Sequence, residues 1–94
     1  MKFRSTILSV ADVSHIKQLP PEYASMLLLD VHEGRIQKGD LARFNGMTRT
    51  VLDVATNTDF FDQYVEGSIG IAIGGEPIDG DDNMGRSLIV AEEG

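Results

Sequence analysis

The 94-residue sequence contains no cysteine. A disulfide framework, a thiolate metal site and a cysteine nucleophile are therefore all excluded. The chain also lacks any run of about 18 apolar residues, the length that a membrane-spanning helix requires. Residues 1–6 lead directly into an alternating pattern without the apolar block of a signal peptide, so we expect a cytoplasmic protein without a membrane partner.

Basic residues are scarce in the second half of the chain. Residues 1–50 contain seven Lys/Arg and five Asp/Glu, whereas residues 51–94 contain one basic residue, Arg86, and ten acids. The net charge of −7 argues against strong nucleic-acid binding, because phosphate contacts need a concentrated cationic face. The acidic half is expected to be either a solvated surface or a docking face for a basic partner.

Motifs of catalysis are missing as well. The sequence has no G-x-x-x-x-G-K-[ST] phosphate loop and no G-x-S-x-G nucleophile elbow. Adjacent carboxylates such as Asp81 and Asp82 point apart in extended chain and make a poor acid–base pair. His15 and His32 have no metal-ligand spacing. We therefore expect a protein that is not an enzyme and carries no cofactor.

What the sequence does contain is short apolar stretches separated by turn signals, among ten glycines. This pattern favours an all-β fold, and 94 residues are enough for one domain spanning residues 1–94. Six mostly antiparallel strands can close a small barrel, and closure removes exposed edges. The predicted strands are residues 3–10, 24–32, 40–45, 47–55, 68–74 and 86–91.

Strict alternation along these strands predicts which side chains share a face. In the first strand it places Ser9 on the same face as Phe3, and it places Val10 on the opposite face. In the fourth strand it separates Val51 from Val54. The consecutive apolar residues 26–29 predict a second strand that is buried on one face and partly covered on the other.

Three connections stand out between the strands. Residues 12–25 read as an inserted loop, since Pro20 and Pro21 cannot continue a ladder, with a turn of helix capped by Asp12 or Ser14. Residues 56–66 form a polar and aromatic loop. Residues 31–40 read as a β-hairpin whose two bends are set by Gly34 and Gly39, because glycine accepts positive φ at little steric cost.

These features together resemble the β-barrel second domain of translation GTPases such as elongation factor Tu. The resemblance covers most of the chain in order and is carried by residues 3–13, 34–40, 51–54, 66–74 and 84–91. The chain departs from that family in its longer connection at residues 12–25, in its acidic loop at residues 75–83, and in having no phosphate-binding loop. The resemblance therefore implies a fold and a mode of binding, but not nucleotide hydrolysis.

In translation GTPases this barrel contacts the G domain, the small ribosomal subunit and, in the elongation factor, the acceptor end of aminoacyl-tRNA. The hairpin that resembles residues 34–40 faces ribosomal RNA in that family. The resemblance thus implies a ribonucleoprotein-binding site, and three or four phosphate contacts there would be weak and salt-dependent. The candidate residues for this site are Gly34, Arg35, Lys38, Arg43 and Arg49. Alternatively, they are ordinary exposed strand and turn residues.

Half of the aromatic residues lie in one loop, at Phe60, Phe61 and Tyr64. They either cap one end of the barrel or form an exposed apolar patch. The nearby Asp59 and Asp62 would repel phosphates, so a protein partner suits this loop better than RNA.

The acidic loop also suggests a calcium site built from Asp79, Asp81 and Asn83. It does not fit the EF-hand, because positions six and twelve counted from Asp79 are Met84 and Val90. Oxygens at alternating positions nevertheless leave a looser site as an alternative.

The leading interpretation is a non-catalytic binding module of translation-factor barrel type, docking to a protein or ribonucleoprotein partner. Two alternatives stay open: a regulatory or structural subunit of a larger enzyme complex, and a small-ligand or calcium-binding barrel. The oligomeric state is left open by the sequence.

Overall fold

A computed structural model describes residues 2–55 and 67–91 of the chain. Within these ranges the strands form a closed antiparallel barrel in the order β1-β2-β5-β4-β3-β6. The predicted all-β fold of six strands is confirmed, with one short helix inside the acidic loop that was not predicted. No helix in the described part of the chain is long and apolar enough to cross a membrane. The elements are β1 (Phe3–Asp12), β2 (Ser25–Gly34), β3 (Leu41–Phe44), β4 (Met47–Ala55), β5 (Ser68–Ile73), α1 (Gly80–Asn83) and β6 (Ser87–Val90).

The predicted hairpin at residues 31–40 is wrong. β2 pairs with β1 and β5, whereas β3 pairs with β4 and β6, so the connection crosses one end of the barrel instead of folding back. Ile36 in the middle of the connection is 9% exposed and joins the core. The Gly39 N–H donates to the Val51 carbonyl at 2.8 Å, and the Val51 N–H donates to the Asp40 carbonyl at 2.8 Å. Burial of Ile36 and the hydrogen bonds of Gly39 and Asp40 with Val51 of β4 thus hold the connection in place across the end of the barrel.

The interior of the barrel is filled by apolar side chains from all six strands and from Ile36 in the connection between β2 and β3. Ser5 also points inward, and its hydroxyl donates to the Leu88 carbonyl at 3.1 Å, so the buried group is satisfied. The core consists of Phe3, Ile7, Leu27, Leu29, Ile36, Ala42, Phe44, Val51, Ile71, Ile73, Leu88 and Val90.

A bulge in β1 breaks the predicted alternation. The register skips between Ile7 and Ser9, which leaves Leu8 without a partner on β2. Val10 then pairs with the core residue Leu27 and packs against the core, in place of Ser9. An extra residue reverses the facing of every side chain that follows it, so the predicted faces are wrong beyond Leu8.

β4 contains the same irregularity. Its register with β5 skips between Val51 and Asp53, so Leu52 is the extra residue. Val51 and Val54 consequently both pack against the core, although strict alternation had separated them. Leu52 instead contacts a second apolar cluster outside the barrel.

That second cluster is formed by the connection at residues 13–24, which covers the outer face of β2 and β5. Val13 packs on Met26 and Ala72, and Ile16 and Tyr23 close over them. This cover buries Met26 on the outer face. Residues 26–29 are all buried, so the outer face of β2 is covered more completely than the partial cover that was predicted.

The connection begins with turns in place of the predicted turn of helix. The Asp12 carboxylate accepts hydrogen bonds from the Ser14 hydroxyl at 2.6 Å and the Ser14 N–H at 2.9 Å. These bonds from Ser14 lower the pKa of Asp12. Such a local turn competes with helix formation, which accounts for the difference.

Gly34 is required where the end of β2 meets the start of β1. Its φ is +80°, and a Cβ on this residue would lie 1.9 Å from the Lys2 carbonyl oxygen. The next N–H, of Arg35, donates to that same carbonyl at 3.3 Å. A side chain at residue 34 would therefore force the two backbones apart.

We expect Gly34→Ala to destabilise the barrel far more than Gly39→Ala. Both glycines have positive φ, which costs an L-residue about 1–2 kcal/mol. No heavy atom lies within 4 Å of a Cβ built on Gly39, whereas Gly34 meets backbone. The difference in unfolding free energy, measured in urea, is expected to be at least about 2 kcal/mol. Equal losses for the two variants would contradict the close approach at Lys2.

Tyr23 fastens the 13–24 connection to β4. Its hydroxyl donates to Asp53 Oδ2 at 2.9 Å. Burial of the ring, the hydrogen bond with Asp53 and the negative charges of Asp53 and Glu22 raise the pKa of Tyr23. The folded state therefore holds this proton more tightly than the unfolded chain does.

A raised pKa means that Tyr23 stabilises the fold fully below the unfolded value of about 10 and loses that effect as the pH rises through the folded pKa. We expect Tyr23→Phe to be less stable than the parent at pH 8. The parent should then lose stability more steeply than the variant above pH ~10, as followed by urea unfolding at each pH. Parallel pH profiles for the two proteins would contradict this role of Tyr23.

Candidate functional site

Residues 34–40, called here the crossing connection, present two cations at one end of the barrel. Arg35 and Lys38 are exposed, and neither has an ion-pair partner in the described part of the chain. Asp40 fixes the backbone behind them, because its Oδ2 accepts the Gln37 N–H at 2.9 Å and its Oδ1 accepts Lys2 Nζ at 2.5 Å. The connection is therefore a braced loop with two available positive charges.

Arg49 does not belong with these cations. Its Nη1 donates to the Gly74 carbonyl at 2.7 Å and to the Glu76 carbonyl at 3.2 Å. A Cβ on Gly75, which has a φ of +88°, would lie 2.2 Å from that same nitrogen. The guanidinium of Arg49 thus connects β4 to the start of the acidic loop, and its Nη1 donates to carbonyls within the fold.

Arg43 lies on the outer surface of β3 and is exposed. It pairs across the ladders with Thr48 on β4 and with Ile89 on β6. Arg4 of β1 pairs with Ile89 from the other side, so the two arginines flank this residue, with Cα atoms about 10 Å apart at ordinary strand spacing. Arg4 Nε is 3.5 Å from Glu33 Oε2 between two largely exposed side chains, a weak type of ion pair.

Two of the three predicted calcium ligands, Asp79 and Asn83, form side-chain hydrogen bonds within the fold. Asp79 caps the single turn α1 (Gly80–Asn83), and its Oδ1 accepts the Asp81 N–H at 2.9 Å. Asn83 is 2% exposed, its Nδ2 donates to the Asp79 carbonyl at 2.6 Å, and its Oδ1 accepts Asn45 Nδ2 at 3.2 Å. Within residues 2–55 and 67–91, no three His, Cys, Asp or Glu side chains come together as a group able to hold a metal ion.

Sequence reasoning missed the bond between Asn83 and Asn45, which joins α1 to the turn between β3 and β4. Asn45 has a φ of 49°, the left-handed conformation that an Asn-Gly tight turn requires. The 38-residue separation from Asn83 leaves no local signal for the contact.

The predicted aromatic candidates Phe60, Phe61 and Tyr64 lie outside the described residues, as do the neighbouring Asp59 and Asp62. The structure therefore does not place them relative to the crossing connection.

A groove between β3 and β6, called here the seam groove, was also missed. β3 and β6 are both fully described and share a single ladder pair, Arg43 with Ile89, whereas β1 and β6 share four. A cavity of about 450 Å³ opens along this seam. Its walls come from residues 43–48 and 87–89, which are distant in the sequence and which no sequence pattern connects. It is lined by Arg43, Phe44, Asn45, Gly46, Met47, Thr48, Ser87 and Ile89.

Comparison of the chain with protein-family models, with curated proteins and with solved structures found no match. The similarity to the barrel of translation GTPases therefore stays a prediction from the sequence motifs.

We expect Arg49→Met to lower the unfolding free energy by about 1–3 kcal/mol, because the Gly74 and Glu76 carbonyls lose their donor. Arg43→Met is the matched control, with the same loss of charge on an exposed strand position, and should change stability by less than about 0.5 kcal/mol. Urea unfolding of both variants distinguishes the two arginines. A loss at Arg43 as large as that at Arg49 would show that the two arginines do not differ in structural role.

Proposed function

We propose that this chain is a non-catalytic binding module that docks to a ribonucleoprotein or protein partner through the crossing connection. The observation that supports the proposal is the exposure of Arg35 and Lys38, without ion-pair partners among the described residues, on a loop whose backbone is held by Asp40 and Gly34. Bracing of this kind lowers the entropy lost when a loop binds.

Charge favours a limited contact over an extended one. Two cations on a chain of net charge −7 support a few phosphate contacts but not the wrapping of a nucleic acid. A ribonucleoprotein presents phosphates beside protein surface, so it suits a small basic site on an acidic molecule. The sequence resemblance to translation GTPases makes the ribosome the first partner to test.

A protein partner is the second candidate, and the seam groove favours it. Leu41, on the outer face of β3, is 49% exposed, and the groove beside that strand has apolar walls from Met47 and Ile89. Exposed apolar groups next to a groove are typical of protein-binding surfaces.

The ribonucleoprotein proposal predicts salt-sensitive co-sedimentation with ribosomes from the organism of origin. At about 50 mM salt, Arg35→Glu and Lys38→Glu should each reduce the sedimenting fraction severalfold, because each removes a phosphate contact and adds repulsion. Lys17→Glu makes the same charge change at an exposed residue of the 13–24 connection and should leave sedimentation unchanged. Equal losses for all three variants, or no sedimentation of the parent at low salt, would overturn the ribosomal role.

A further inference from the structure

The outer surface of β3, β6 and the first half of β4 carries Arg43 but no carboxylate of its own strands, and it is called here the arginine face. Residues 41–44, 47–50 and 87–90 include no Asp or Glu, in a chain that has 15 of them. Ladder pairing places Leu41 beside Thr50 and Arg43 beside Thr48. The arginine face consists of Leu41, Arg43, Thr48, Thr50, Ser87 and Ile89, with Arg4 of β1 at its border.

The positive charge of the arginine face is available to a partner. Arg43 has no ion pair with any residue in the ranges 2–55 and 67–91, and Arg4 is held by one long contact to the exposed Glu33. Both guanidinium groups stand on strands that pair with Ile89, so an aliphatic side chain lies between two cations.

The seam groove adds a recess to this face. β3 and β6 separate beyond the pair of Arg43 with Ile89, and the cavity of about 450 Å³ extends toward Asn45 and Ser87. Its lining includes one cation and no anion. A recess of this composition accommodates an apolar side chain while a neighbouring carboxylate pairs with Arg43.

We propose that the arginine face binds an acidic polypeptide segment, in which an apolar side chain enters the seam groove and carboxylates beside it pair with Arg43 and Arg4. The proposal depends on the binding-module function proposed above and names a partner class for a second surface of the same barrel. Charge complementarity carries it, since among residues 2–55 and 67–91 an anionic partner meets Arg43, which has no ion pair, and Arg4, whose one carboxylate contact is the exposed Glu33 at 3.5 Å.

A polypeptide fits this face better than a single-stranded nucleic acid does. Proteins that hold single strands stack bases on exposed aromatic rings. The aromatic residue that lines the groove, Phe44, is 3% exposed and belongs to the core. Leu41 and Ile89 offer aliphatic contact instead, which a peptide side chain uses and a phosphate does not.

The two ends of the groove differ in charge. At one end, Asn45 contacts Asn83 of α1, whose first turn contains Asp81 and Asp82, and Arg86 Nε donates to the Asp82 carbonyl at 2.5 Å. This end carries both signs of charge, whereas the opposite end carries Arg4 and Arg43, so carboxylates of the partner are favoured beside Arg4 and Arg43.

The test is an amide chemical-shift titration of the ¹⁵N-labelled chain with three synthetic nine-residue peptides. Each has a central leucine, flanked in turn by glutamates, glutamines or lysines. The glutamate peptide should shift the amides of residues 41–48 and 87–89. It should also bind at least about tenfold more tightly than the glutamine peptide, which corresponds to roughly 1.4 kcal/mol. The lysine peptide should leave these amides unchanged.

Variants separate this surface from the crossing connection. Arg43→Gln should weaken the glutamate peptide at least fivefold, whereas Lys17→Gln and Arg35→Glu should leave its affinity unchanged. Arg35→Glu is meanwhile expected to impair ribosome sedimentation, so the failure of one proposal is distinguishable from the failure of the other. The spectrum of each variant shows directly whether it is folded.

Two kinds of result would overturn the proposal. One is the absence of shifts at millimolar glutamate peptide, or shifts that map outside the arginine face. The other is tighter binding of a single-stranded oligouridylate on the same amides, which would assign this face to nucleic acid.

Discussion

Closure of the barrel is the constraint on which the rest of this structure depends. β1 pairs with β2 over most of its length and with β6 at its start, so the first strand joins the two ends of the sheet and removes both edges. Closure decides which side chains form the core, and the strand order, with β5 and β4 between β2 and β3, makes the chain cross the end of the barrel. The close approach of Gly34 to Lys2 follows from the pairing of β2 with β1, and the burial of Ile36 follows from the crossing.

The same constraint divides cations of similar appearance into two groups. Arg49 and Lys2 are used by the fold, because the first donates to carbonyls of the acidic loop and the second pairs with Asp40. Arg35, Lys38 and Arg43 have no ion pair with any of the residues that the structure describes. The number of basic residues therefore matters less for binding than which of them already form hydrogen bonds or ion pairs within the barrel.

Local patterns predicted the strands and the all-β class well, because apolar runs and turn residues act within a few positions of one another. Pairing is not local, and the glycines at 34 and 39 marked bends without showing that β2 and β3 are not neighbours. The bulges at Leu8 and Leu52 follow from pairing between strands and have no sequence signal, so alternation failed beyond them. Arg49 was predicted to meet phosphates and Asn83 to bind calcium. Nothing local in the sequence indicates their actual partners, because the Gly74 carbonyl is 25 residues from Arg49 and the Asn45 amide is 38 residues from Asn83.

We propose that the barrel binds its partner through the cations that its fold leaves unused. The decisive experiment records amide signals of the ¹⁵N-labelled chain while purified ribosomes are added at low salt. We expect early signal loss at residues 35–38, with residues 13–24 affected last and all signals recovered when salt is raised. Signal loss centred on residues 13–24 or 76–82, or no loss at any residue, would contradict it.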